Sequence, residues 1–136
     1  MVGAGAAGGL GAAFLAFFDA RMLRGIDVVM DAGRLAEKIE GVDYVFTGEG
    51  RIDSQTLAGK TPFGVAECAA RHSVPVVAFA SRIADDADVL YSHGFAALVP
   101  IVQGVSDLER ALTDGPRDLE KAVETTCRLL SLRPSR

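Results

Sequence analysis

One stretch of this chain concentrates groups able to do chemistry: YVFTGEGRIDSQTLAGKTP, from Tyr44 to Pro62. Glu49 and Asp53 are oxygen acceptors that can hold a hard divalent cation or take a proton from a hydroxyl. Arg51 and Lys60 are donors matched to carboxylate or phosphate, the guanidinium as a two-pronged fork and the ammonium as a point charge. Ser54, Gln55 and Thr56 add neutral donors. Gly48 and Gly50 flank Glu49 and let the backbone turn sharply or approach a ligand closely. Thr61-Pro62 has the form of a helix start, whose free N–H groups and positive dipole end favour an anion. Together these groups suit a small phosphorylated or carboxylated ligand, with or without a metal ion. The competing reading is structural: Arg51 pairs with Asp53 or Glu49, and Lys60 is solvated.

The elements around this stretch decide what it faces. Leu10, Phe14, Phe17, Phe18 and Met22 recur on one face of a predicted helix. GIDVVM, Gly25 to Met30, reads as a first strand, and Asp31 as the cap of a helix through Leu35 and Ile39 that stops at Gly41. DYVFTG, Asp43 to Gly48, reads as a second strand. Thr61 is the expected N-cap of a helix reaching about His72, with Pro62 in its first turn. VVAFA after Pro75 is a third strand. Asp85 to His93 reads as a helix stopped by Gly94, and AALVPIV, Ala96 to Val102, as a fourth strand that Pro100 pushes toward an edge or an end. Ser106 and Glu109 have the spacing of a capping box, Gly115-Pro116 breaks the pattern, and Leu119, Val123, Thr126, Cys127 and Leu130 form a last apolar stripe. The tail beyond Leu132 is expected to fray.

Short apolar strands alternating with helices predict an α/β fold: a mostly parallel sheet, right-handed crossovers, helices on both faces. Ligands of such sheets bind beyond the carboxyl ends of the strands, and the loop within Tyr44 to Pro62 leaves one of those ends. The 136 residues fit one domain, 1–136. A net charge of −4 and no arginine cluster exclude a sequence-independent nucleic-acid binder. The opening MVGAGAAGGLGAAFLAFF lacks the positive start of a signal segment and is too weakly apolar for a membrane span, so no membrane association is expected. Cys68 and Cys127 have no ligand-spaced partners and read as buried small apolar groups, which fits a reducing cytoplasm. His72 and His93 each close a helix, and Asp85, Asp86 and Asp88 read as a solvated helix start.

Two motif lookalikes fall short. GKT at Gly59 to Thr61 ends like a P-loop, but Ser54 stands where that motif needs a glycine for its backbone cradle. GAGAAG, Gly3 to Gly8, spells the dinucleotide fingerprint without the strand that must precede it, leaving close packing and a turn as its plainer role.

Taken together, GAGAAGGLGAAFLAF, TGEGRIDSQTLAGKTPFGVA and PVVAFASRI resemble the C-terminal portion of bacterial glycerate kinases, over Gly3 to about Val102. The resemblance implies part of a flavodoxin-like domain of a two-domain enzyme that uses ATP with Mg2+ to phosphorylate a hydroxyl of glycerate. It implies a cleft lined by Gly48, Glu49, Gly50, Arg51, Asp53, Ser54, Gln55 and Lys60, faced by Gly5, Ala6, Gly8 and Gly9. Catalysis would then rest on Glu49, Arg51, Asp53 and Lys60, with Asp53 or Glu49 as metal ligand or base and Arg51 or Lys60 as anion binder. Ser81 stands where the family usually has glycine. Family members are longer, and their N-terminal acidic motifs have no counterpart here. The sheet is therefore expected to expose an edge and apolar surface that a separately encoded N-terminal half or a second copy would cover. Two further readings remain: a non-catalytic remnant that keeps the fold and some anion binding, and a dinucleotide-binding module resting on Gly3 to Gly8.

Overall fold

Residues 5–18, 20–105 and 107–132 are described by a computed structural model. In chain order the elements are α1 (Leu10–Phe17), α2 (Gly25–Ala32), α3 (Leu35–Ile39), β1 (Val45–Ile52), α4 (Thr61–Arg71), β2 (Val76–Ile83), β3 (Phe95–Pro100) and α5 (Leu108–Leu130). Short 3-10 turns lie at Ala6–Gly9, Ser54–Ala58 and Ala87–His93. The three strands form one parallel sheet in the order β1-β2-β3. β2 is central, and its first five residues, Val76 to Ala80, are all buried, as a strand covered on both faces requires.

The two faces of the sheet are covered differently. On one, Val76, Ala78 and Ala80 pack with Ala66, Ala69, Leu90 and Ile39 into the main core beneath α4. Small side chains on α4 let it lie close to the sheet, and Ile26 and Met30 of α2 reach its outer side at Gly64. Arg24 ties α2 to α4: its guanidinium forks to Asp27 at 2.8 and 2.9 Å and reaches Glu67 at 2.9 Å. These hydrogen bonds, that to Asp27 foremost, hold the guanidinium above its ordinary pKa. On the other face, Val77 and Phe79 pack with Ile101 and Ala122 beneath α5. That layer stops at β2. Phe46 of β1 meets Phe79 edge-on at a centroid distance of 5.4 Å but stays 40% exposed.

Several expectations are corrected. Gly25 to Met30 is not a strand but helix α2, so the sheet has three strands rather than four. A short β-branched run does not distinguish the two periods; Ile26 and Met30 share a helical face against α4, and Arg24–Asp27 braces the first turn. The first helix ends at Phe17, because Phe18 is extended (φ −131°), and Met22 falls beyond it. No residue of α1 is buried, so no packed face sustains a longer helix. β1 runs on to Ile52, which puts Glu49 and Arg51 on the strand itself.

Lys60, not Thr61, is the N-cap of α4. Residues 87–93 wind as a 3-10 turn rather than an α-helix. Asp107 caps α5 by accepting the Arg110 N–H at 2.8 Å; Ser106 lies outside the described residues, as do the tail from residue 133 and Gly3 of the glycine-rich motif. Gly115-Pro116 does not break α5. The bond lost at Pro116 falls on Leu112, on the exposed side of the helix where water can replace it. The buried stripe of α5 is turned toward Asp118 and Ala122, leaving Leu119 and Leu130 partly in solvent. Cys68 is buried, but Cys127 is exposed.

Candidate functional site

Parallel strands deliver their carboxyl ends to one edge of the sheet, and there β1 hands the chain into a tight turn. Asp53 caps the 3-10 turn Ser54–Ala58 reciprocally: its side chain accepts the Thr56 backbone N–H while the Thr56 hydroxyl accepts the Asp53 N–H at 3.4 Å. This is a capping box with the acid and hydroxyl exchanged between its two positions. Gly59 closes the turn in the left-handed region (φ 93°), and the chain enters α4 at Lys60. Two elements of fixed geometry, a strand end and a helix start, therefore bracket the charged residues.

Those residues converge. Arg51 Nε lies 3.0 Å from Asp53 Oδ2, and Lys60 Nζ lies 3.3 Å from Asp53 Oδ1. Lys60 Nζ is also 3.9 Å from Glu49 Oε1, which accepts the Thr56 hydroxyl at 2.9 Å. The Asp53 side chain is 8% exposed, against 56% for Arg51 and 37% for Lys60. A carboxylate so enclosed needs partners, and Asp53 has two cations and a backbone donor. Both its oxygens are thus engaged, while Glu49 and Gly50 border a cleft of about 720 Å3. Most of that cleft is apolar, walled by Phe46, Phe79, Ile101, Pro116, Leu119 and Val123, with Ser81 at its rim.

Ser54 links the site to the next strand. Its hydroxyl donates to Asp86 Oδ2 at 2.5 Å, just beyond the end of β2. That hydrogen bond holds the Asp86 carboxyl below its ordinary range, so this acid is not simply part of a solvated helix start. Gln55 is exposed. Among the described residues there is no cluster of three or more His, Cys, Asp or Glu able to hold a metal ion.

The glycines divide by role. A Cβ on Gly48 would sit 2.7 Å from the Phe79 carbonyl oxygen, so Gly48 serves the close contact between β1 and β2. A Cβ on Gly50 would meet nothing within 4 Å, which leaves its backbone open toward the cleft. Gly8 and Gly9 have φ of 67° and 94° and form the turn that starts α1. Gly5, Gly8 and Gly9 are not among the described residues that line the cleft. Thr56 is the residue to which the sequence reading gave too little weight. Its signal was available in the Asp53-x-x-Thr56 spacing, which fits a cap as well as a donor.

A parallel α/β sheet with a charged constellation at the strand ends defines a class of small-molecule site. Comparison with known proteins narrows it. The profile of the Glycerate kinase family matches residues 1–131, and the chain belongs to that family. It is 43% identical over 120 residues to a glycerate kinase of Halalkalibacterium halodurans, covering 88% of this chain and 32% of that protein. It is 44% identical over 109 residues to the glycerate 2-kinase of Escherichia coli K12, covering 80% of this chain and 29% of that protein. A solved structure from Salmonella typhimurium LT2, assigned as glycerate kinase 2, superposes with a TM-score of 0.69 at 40% identity, over 95% of this chain and 33% of that one. The chain thus spans about a third of the relatives it matches.

Proposed function

We propose that this chain supplies the anion-binding side of an ATP-dependent glycerate kinase, which transfers a phosphoryl group to a hydroxyl of glycerate. The observation that carries the reading is the convergence of Glu49, Arg51, Asp53 and Lys60 at the carboxyl end of β1. Phosphoryl transfer asks a protein mainly to position its reactants and neutralise charge, which these groups suit. In this reading Lys60 and Arg51 receive the carboxylate or phosphate of the ligand. Asp53 holds both cations in place until the ligand competes for them. Glu49 remains for the reacting hydroxyl or for the cation.

The residues fit Mg2+ only in part. Asp53 has both oxygens committed to Arg51 and Lys60, which argues against it as a metal ligand. Glu49 has Oε1 engaged by Thr56 and Lys60, and its other oxygen fits one bond to a hard cation, the rest coming from phosphate oxygens and water. When bound, Mg2+ would offset the negative charge of the nucleotide's phosphates. Gly48, Gly50 and Ser54 belong to the same strand end, whereas a nucleotide role for Gly5, Ala6, Gly8 and Gly9 needs a rearrangement or further parts of the fold. A cytoplasmic setting goes with this metabolic reading; among the described residues no helix is long and apolar enough to cross a membrane.

In this reading turnover needs more of the fold than these residues, which span about a third of the longer relatives. The test is ADP formation from ATP, Mg2+ and D-glycerate. The expected result is none above background for the chain alone and clear turnover once the complementary segment of a longer relative is co-expressed. Turnover by the chain alone overturns the need for a complement. Silence with a folded complement favours a non-catalytic remnant that retains anion binding.

A further inference from the structure

The closest approach between opposite charges in the site is not between Glu49 and Lys60, although the two side chains share one corner of it. Lys60 Nζ sits 3.3 Å from Asp53 but 3.9 Å from Glu49 Oε1, beyond hydrogen-bond distance. A hydrogen bond holds Glu49 at that distance. The same oxygen, Oε1, accepts the Thr56 hydroxyl at 2.9 Å. Thr56 is fully buried, and its oxygen also accepts the Asp53 backbone N–H at 3.4 Å. A hydroxyl carries one proton. With the Asp53 N–H directed at its lone pair, that proton is committed to Glu49. The β-branched side chain is stiff about χ1 and sits inside a capped turn, so the donor's direction is fixed by the fold.

We propose that Thr56 is a positioning residue: its hydroxyl holds Glu49 Oε1 at the outer limit of an ion pair with Lys60, so that the ammonium, held more closely by Asp53 alone, stays open to an incoming anion. The inference rests on the anion-binding reading above and assigns Thr56 the task of keeping the Glu49–Lys60 pair loose. Thr56 acts through Glu49 and does not itself touch the ligand.

The test is a titration of the full chain with D-glycerate, followed by calorimetry, for wild type, Thr56→Val, Thr56→Ser and each exchange in a Glu49→Gln background. Valine keeps the shape and removes the hydroxyl. The expected Kd rises about tenfold in Thr56→Val, the size of one lost hydrogen bond to a charged group. Serine keeps the hydroxyl and is expected to stay within about twofold. In the Glu49→Gln background, which has no carboxylate to capture Lys60, Thr56→Val is expected to cost nothing further. An equal loss in both backgrounds, or a serine variant as weak as the valine one, overturns the proposal. A ligand-free measurement separates it from the function it rests on. With 13C-labelled glutamate, the Glu49 carboxyl resonance is expected to move in Thr56→Val and to stay in Thr56→Ser. If wild type binds no D-glycerate, the anion-binding reading falls, and this resonance alone decides the role of Thr56. Should Thr56→Val not fold, an Overhauser contact from the Thr56 hydroxyl proton to the Glu49 methylenes in the wild-type spectrum supports the proposal, and a contact to another acceptor overturns it.

Discussion

The two faces of the sheet are built from the same three strands, yet one is finished and the other is not. Beneath α4, alternate residues of β2 meet small side chains of the helix, with Leu90 and Ile39 filling the margins, both at most 2% exposed. Beneath α5 the cover reaches β2 and β3 but stops short of β1, and Phe46 stays half in solvent. A face buried by the chain's own helices contributes to its stability. A face left open over β1 is an edge that natural sheets normally cover, and the longer relatives have about three times the chain with which to do so.

Substitutions can break this contrast. The largest expected effect is Leu90→Ala on the closed face, at about 3 kcal/mol of stability. Leu119→Ala on the open face should cost under about 1 kcal/mol, since Leu119 is already 42% exposed. Urea unfolding measures both, and equal losses would show that the open face is packed after all. The next effect compares two glycines of one strand. Gly48→Ala drives a methyl into the Phe79 carbonyl and should cost about 2 kcal/mol, whereas Gly50→Ala meets open space and should change stability little.

Ser54→Ala is the smallest probe. The Ser54 hydrogen bond holds the folded Asp86 carboxyl below its ordinary value of 3.8, so its contribution is present above that pH and fades as acid protonates the group. Ser54→Ala should return Asp86 toward the ordinary value, read by an NMR titration of its carboxyl. An unmoved midpoint would mean that the bond between the β1 turn and the end of β2 is not made in solution.

How much of this was legible beforehand follows from how local each signal is. The start of α4 at Lys60-Thr61-Pro62, strand β2 after Pro75 and the stop at Gly94 carry their own punctuation. They appear within a residue or two of where the sequence puts them. α2 was misread because Ile26 to Met30 suits either period, and only its contact with Gly64 decides. Pro116 within α5 was misread because the rule about proline says nothing of a neighbour that can turn to solvent. The charged site was legible since Glu49, Arg51, Asp53 and Lys60 lie close in sequence and one turn gathers them. The glycine-rich motif was not. Its position depends on a tertiary partner that no local pattern specifies; among the described residues Gly8 and Gly9 form a left-handed turn ahead of α1.

The unequal placement of the two cysteines gives this chain a built-in clock and beacon. Cys127 lies open on α5, whereas Cys68 lies buried in the main core. An alkylating dye should therefore label α5 once and promptly, reporting on whatever comes to rest against that helix. Uptake of a second equivalent should wait for the core to open, so one reagent distinguishes docking at the surface from unfolding within.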